Sequence, residues 1–154
     1  MNDTQIIDAS ELRFTAHVSG PVDGPGVILL HGFPNSRHSW RAQVAALAAA
    51  GYRCVAPDQR GYSPGAQPSG IEHFTINHLI GDVLAIADSC GFQRFHLVGH
   101  DWGGQVAWMT AGYHAERIRS LSVLSRPHPA AFARALDNDA DQANRSRHHK
   151  AFQD

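Results

Sequence analysis

FHLVGHDWGGQVAW, residues 95–108, decides the fold of this chain. FHLVG (95–99) has the apolar character of a buried strand, and GGQVAWMTAGYH opens a helix almost without a linker. A strand that runs straight into a helix must turn sharply. Gly99 and Gly103 flank that turn, where a Cβ has little room, and Gly104 follows. Between them stand His100, Asp101 and Trp102. The turn forces Asp101 into a strained backbone conformation and lifts its side chain above the sheet. Trp102 opens the helix, so its N–H lies at the positive end of the helix dipole. Asp101 is therefore a candidate nucleophile, and its carboxylate is ionised at neutral pH without help from a base.

Outward from this turn the chain alternates strands with helices. LRFTAHV (12–18) suits an antiparallel strand, and the turn cluster GPVDGPG follows it. GVILL (26–30) is a continuous apolar run of the kind buried on both faces of a parallel sheet. An alanine-rich helix spans about 40–50 and ends at Gly51; YRCVAP (52–57) is the next strand. From Ile76 to Cys90 apolar residues recur at helical steps, with Thr75 placed to cap and Gly91 to terminate. LSVLS (121–125) is a further strand. HPAAFARAL then suggests a turn or two of helix before a polar tail. The expected fold is α/β, a mostly parallel sheet with flanking helices and its working residues at the C-terminal ends of the strands.

Composition agrees with one globular domain. The 154 residues are 43% hydrophobic and 18% charged, with a formal net charge of −1, which does not favour nucleic acid or an anionic membrane surface. Arg145, Arg147 and Lys150 read as a solvated helix face. No stretch approaches the length of a membrane span, and MNDTQIIDAS lacks the apolar core of a secretion signal. Cys54 and Cys90 have no CxxC spacing and read as two buried free thiols, so the expected location is the cytoplasm. His31, His96 and His100 lack any metal-ligand spacing, and neither metal nor cofactor is expected.

Two more motifs accompany the turn at Asp101. His31–Gly32–Phe33–Pro34 follows GVILL directly, with Pro34 stiffening its turn, and DQRGYS (58–63) follows the next strand. Asp58 and Arg60 read as loop braces. HGFP, DQRGYS and GHDWGG, in this order and spacing, resemble the epoxide hydrolase and haloalkane dehalogenase branch of the α/β-hydrolase fold family over about residues 10–135. The resemblance implies that Asp101 is the nucleophile and that the backbone N–H groups of Phe33 and Trp102 form the oxyanion hole. His31, Gly32, Pro34, Gly99, His100, Gly103 and Gly104 would be supporting residues.

The chemistry of an aspartate points the same way. A carboxylate attacking a carbonyl would give an anhydride, but at a saturated carbon bearing a leaving group it gives an ester. Water can then hydrolyse that ester with help from an oxyanion hole. The implied substrate is a small apolar epoxide or alkyl halide. Haloalkane dehalogenases of this branch carry HGNP, whereas Phe33 stands here; fluoroacetate-type enzymes carry HGFP but place Arg where Trp102 stands. Epoxide is therefore the preferred reading and halide the alternative. The leaving oxygen in epoxide hydrolases is protonated by cap tyrosines, and Tyr52, Tyr62 and Tyr113 do not lie in a cap by sequence.

The triad order in this fold is nucleophile, acid, histidine. His114, His128, His148 and His149 do not follow strands as the family base does, and Asp137, Asp139 and Asp141 read as a solvated face. On this reading residues 1–125 form the N-terminal part of the core, and 126–154 begin an incomplete cap. The chain would end before the last strands, and alone it would be an inactive fragment or a non-catalytic binding remnant. The strand 121–125 would then be an exposed edge open to self-association.

Overall fold

A computed structural model describes residues 3–147. Among the described residues six strands form one sheet in the order β1-β2-β4-β3-β5-β6. They are β1 (Asp3–Ala9), β2 (Leu12–Ser19), β3 (Gly26–Leu30), β4 (Arg53–Pro57), β5 (Phe95–His100) and β6 (Ile118–Leu124). β3, β4, β5 and β6 run parallel, while β1 and β2 add an antiparallel margin. The helices are α1 (Arg41–Ala49), α2 (Ile76–Ser89), α3 (Trp102–Tyr113), α4 (Pro129–Asn138) and α5 (Ala140–Arg145).

β3 lies in the middle of the sheet and all five of its residues are buried, as an unbroken GVILL run requires. Its alternating side chains divide the core in two. Val27 and Leu29 pack with Trp40, Val44, Cys54 and Ala56 on the α1 face. Ile28 and Leu30 pack with Leu79, Val83, Ile86, Val106 and Ala107 of α2 and α3 on the other. The chain leaves β3 towards α1 on one face and leaves the neighbouring β5 towards α3 on the opposite face. The two connections diverge, and a crevice opens at the C-terminal ends of β3 and β5.

Local signals fix the helix ends. After α1, Gly51 (φ +90°) lets its own N–H bond to Ala48 and that of Tyr52 bond to Leu47; after α2, Gly91 (φ +73°) does the same through Asp88 and Ala87. Both are the left-handed C-caps read from the sequence. Thr75 has the extended backbone of an N-cap, but its hydroxyl bonds to Nδ1 of His78 and caps no backbone N–H.

Four expectations need correction. β1 was not anticipated: Ile6 is half-exposed and Ile7 buried on an otherwise polar edge strand, so the run shows little of the alternation expected of one. β6 starts at Ile118, three residues before LSVLS, because a register shift between Phe95 and His96 breaks the two-residue period at Arg119. The polar stretch after Asn138 forms α5, capped by the Asp139 carboxylate, which accepts from the N–H groups of Asp141 and Gln142. Cys54 is buried as expected, but Cys90 is only half-buried; both are free thiols. No helix among the described residues is long and apolar enough to cross a membrane.

Candidate active site

Asp101 sits in the crevice, between β5 and α3, at φ 53° and ψ −116°. This region costs a non-glycine residue on the order of 1–3 kcal/mol, so neighbouring structure must enforce it. Two backbone bonds do so: the Asp101 N–H donates to Leu124 O (3.1 Å), and its carbonyl accepts from the Gln105 N–H (3.1 Å). The first comes from β6, so the last strand among the described residues holds the Asp101 backbone in place.

The glycines are required by close approach. A Cβ on Gly99 would lie 2.4 Å from Gly103 O, within the turn. One on Gly103 would lie 2.4 Å from Leu30 O and 2.5 Å from His31 O. One on Gly32 would lie 2.5 Å from the Asp101 Cβ. Gly103 therefore lets α3 settle against the end of β3, and Gly32 lets the HGFP loop reach the carboxylate. The Phe33 N–H then donates to Asp101 Oδ1 at 3.0 Å. The Phe33–Pro34 peptide is cis, as the stiff turn at Pro34 anticipated. Trp102, the first residue of α3, offers one of the orphan N–H groups of a helix start. The Phe33 and Trp102 side chains remain exposed, at 62% and 44%.

His31 ties HGFP to DQRGYS. Its Nε2 accepts from the Gln59 N–H (3.1 Å), so Nδ1 carries the proton and donates to Gly32 O (3.0 Å). The Gln59 amide donates back to His31 O. Burial is the main reason that the His31 pKa is pushed below 6.5. Asp58 and Arg60 are the braces the sequence suggested. Asp58 accepts from the Arg37 N–H (2.7 Å) and pairs with its guanidinium; Arg60 forms a two-bond fork with Asp82 on α2. His100, at the end of β5, is half-buried.

Several site residues escaped the sequence reading. Tyr62 packs edge-on against His31 (4.6 Å between centroids), and its pKa is raised first by burial and then by the charge of Asp101. It is a neutral phenol within the field of the carboxylate. Its place inside DQRGYS was the available signal. Beside Asp101 opens a pocket of about 470 Å³, lined by Ser125, Arg126, Pro127, Ala131, Phe132 and Ala135 and by Gln142, Arg145 and Ser146 of the α5 region. This volume suits a small-molecule site. Arg145, expected on a solvated face, thus reaches the pocket as well as pairing with Asp141.

The downstream histidines are elsewhere. His114 lies beyond the far end of α3 near Glu116, and His128 packs edge-on against Trp108. Neither lines the pocket; His148 and His149 lie outside the described residues. Among the described residues no three of His, Cys, Asp or Glu gather to hold a metal ion.

The alpha/beta hydrolase fold family model matches residues 25–146. The chain belongs to the α/β-hydrolase fold family. The chain is 42% identical to epoxide hydrolase A of Mycobacterium tuberculosis over 123 residues, which are 80% of the chain and 38% of that protein. It is 39% identical to epoxide hydrolase 4 of Mus musculus over 147 residues, 96% of the chain and 41% of the mouse protein. A solved structure described as one of the novel epoxide hydrolases from hot-environment metagenomes superposes with a TM-score of 0.91 at 35% identity, over 100% of the chain and 52% of that structure. An epoxide hydrolase from Vigna radiata gives 0.78 at 38% identity, over 90% and 47%. The chain therefore spans about two-fifths to a half of the length of these relatives.

Acid should loosen this fold. His17, His31 and His96 all have pKa values lowered mainly by burial, so the folded state binds fewer protons than the unfolded chain as pH falls below 6.5. Their contribution is complete above 6.5 and is lost on descending through the lower folded-state values. The urea midpoint should stay level from pH 8 to 7 and drop by pH 5.5. A midpoint that rises on acidification contradicts this assignment.

Proposed function

We propose that this hydrolase opens epoxides through a covalent ester on Asp101. The observation that carries the reading is the Asp101 carboxylate on a strained turn, already bonded to the Phe33 N–H, beside a pocket with an apolar wall. The naming of its relatives as epoxide hydrolases supports epoxide over halide. A carboxylate oxygen attacks a ring carbon, the C–O bond of the ring breaks, and its electron pair goes to the ring oxygen, which takes a proton from water. The ester carbonyl then stands at the two oxyanion donors, Phe33 and Trp102. Water attacking that carbonyl releases a diol and restores Asp101.

Hydrolysis of the ester needs a base to activate the water, and none of the described histidines lines the pocket. The ester should therefore persist on this chain. A positioned base typically contributes about 10²–10⁴-fold. Residues 126–154 are proposed as the beginning of a cap, since α4 and α5 supply the pocket wall opposite Asp101.

The test is intact-mass spectrometry after incubation with 1,2-epoxyhexane and, separately, 1-bromohexane. The expected result is addition of one whole epoxide, removable by hydroxylamine as an ester is, with the bromide reacting at least about tenfold more slowly. Faster reaction with the bromide favours the dehalogenase alternative. Absence of any adduct favours a binding protein without this chemistry.

We also propose that β6 mediates self-association. Among the described residues it forms the edge of the sheet; Leu121 and Val123 pack on the core, while Ser122 and Leu124 face outward. Val123→Lys would disrupt packing against α3; Ser122→Lys is the appropriate probe of the open edge. Sedimentation at micromolar concentration should show dimers or larger species that the Ser122→Lys variant reduces. A monomer at all concentrations rules out pairing through this edge.

A further inference from the structure

We infer that Arg126 makes the pocket selective for substrates that carry a carboxylate, a conclusion about substrate class that rests on Asp101 acting on an epoxide. Arg126 stands two residues beyond Leu124, whose carbonyl holds the Asp101 N–H, and follows Ser125, itself at φ 56°. Both Arg126 and Asp101 line the pocket.

Two contacts hold the guanidinium, and two more hold the backbone and Cβ of Arg126. Its Nε donates to Gln105 Oε1 (3.1 Å), and Gln105 is in turn anchored by its N–H to Asp101 O. Its Cζ lies 5.8 Å from the centroid of the Phe132 ring. The Arg126 carbonyl accepts from Trp108 Nε1 (3.2 Å), and a Cβ on Gly104 would lie 3.0 Å from the Arg126 Cβ. Glycine at 104 leaves the space this side chain uses. Such anchoring lowers the entropy lost when a ligand binds.

Among the described residues the charge of Arg126 is not neutralised by a carboxylate: none forms an ion pair with it, Asp101 included, and its Nη groups make no hydrogen bond to protein. A guanidinium presents paired donors that match a carboxylate. Pro127, Ala131, Phe132 and Ala135 supply apolar surface for the rest of such a molecule. The negative charge of Asp101 in the same pocket opposes a dianion, which selects a carboxylate over a phosphate. The substrate is thus an epoxide with an apolar body and a carboxylate remote from the ring, its head on Arg126 and its ring at Asp101.

The first measurement needs no chemistry. Hexanoate and hexanamide, matched in shape and differing in charge, are titrated into the labelled protein at pH 7.5 while the Arg126 Nε–H resonance is followed. Hexanoate should bind at least about tenfold more tightly, as expected for a charge-assisted contact. Arg126→Gln should remove the difference and Arg126→Lys retain part of it, which a merely structural role would not produce. The second measurement compares labelling rates for 5,6-epoxyhexanoate and 1,2-epoxyhexane. The ratio of acid to neutral rate should fall at least about tenfold in Arg126→Gln. Equal affinity for hexanoate and hexanamide, or an unchanged rate ratio, overturns the inference. A hexanoate preference without labelling by either epoxide keeps the anion site and removes the nucleophile reading instead. If Arg126→Gln does not fold, the two ligands on the unaltered protein decide the matter.

Discussion

Asp101→Ala should abolish covalent labelling by an epoxide, leaving no adduct above that of a scrambled-charge control protein. The loss should be complete because, among the described residues, no other carboxylate and no thiol lines the pocket. The two thiols are poor substitutes: burial pushes Cys54 up to about 11 and raises Cys90, so little thiolate exists at neutral pH. The urea midpoint should not fall, since the side-chain bond that alanine removes is the one from the Phe33 N–H. Asp101→Asn is a weaker control, because slow hydrolysis of the amide restores the acid.

The second large effect concerns a residue outside the pocket beside Asp101. Asp82→Ala should destabilise the fold by about 3–5 kcal/mol, the usual result of stranding one partner of a buried ion pair. Arg60 donates to both Asp82 oxygens at 2.7 Å, with both side chains at or below 10% exposure, and Arg60 also bonds to His73 O. The Asp88–Arg117 pair makes a useful comparison, because Asp88 is 64% exposed and its removal should cost below about 1 kcal/mol. Asp82→Ala should also slow labelling of Asp101. Arg60 anchors the loop carrying Gln59 and Tyr62, and these hold His31 and so the HGFP loop. Equal urea midpoints for Asp82→Ala and Asp88→Ala would contradict this view of the brace.

The parts of the site readable in the sequence are those set by local constraint. Glycines at 99 and 103 around Asp101, and HGFP directly after a buried run, are required where backbone meets backbone, and each lies within a few residues of the atom it serves. β3, α1 and α2 were readable because continuous burial, helical spacing and terminal glycines agree. β1 and the start of β6 were obscured by a half-exposed edge and by a register shift that breaks the two-residue period. The pocket wall was unreadable for a different reason. Arg126, Phe132 and Gln142 belong to no motif, and they matter only because α4 and α5 bring the pocket wall beside Asp101. Tyr62 shows the intermediate case, named by its motif but given meaning only by its packing against His31.

The most direct test of the account is to locate the epoxide adduct by tandem mass spectrometry of proteolytic peptides. A single hydroxylamine-sensitive ester is expected on the Asp101 carboxylate, within the peptide that contains Gly99–Gly104. An adduct on Cys54, Cys90 or a histidine, with Asp101 unmodified, would contradict it.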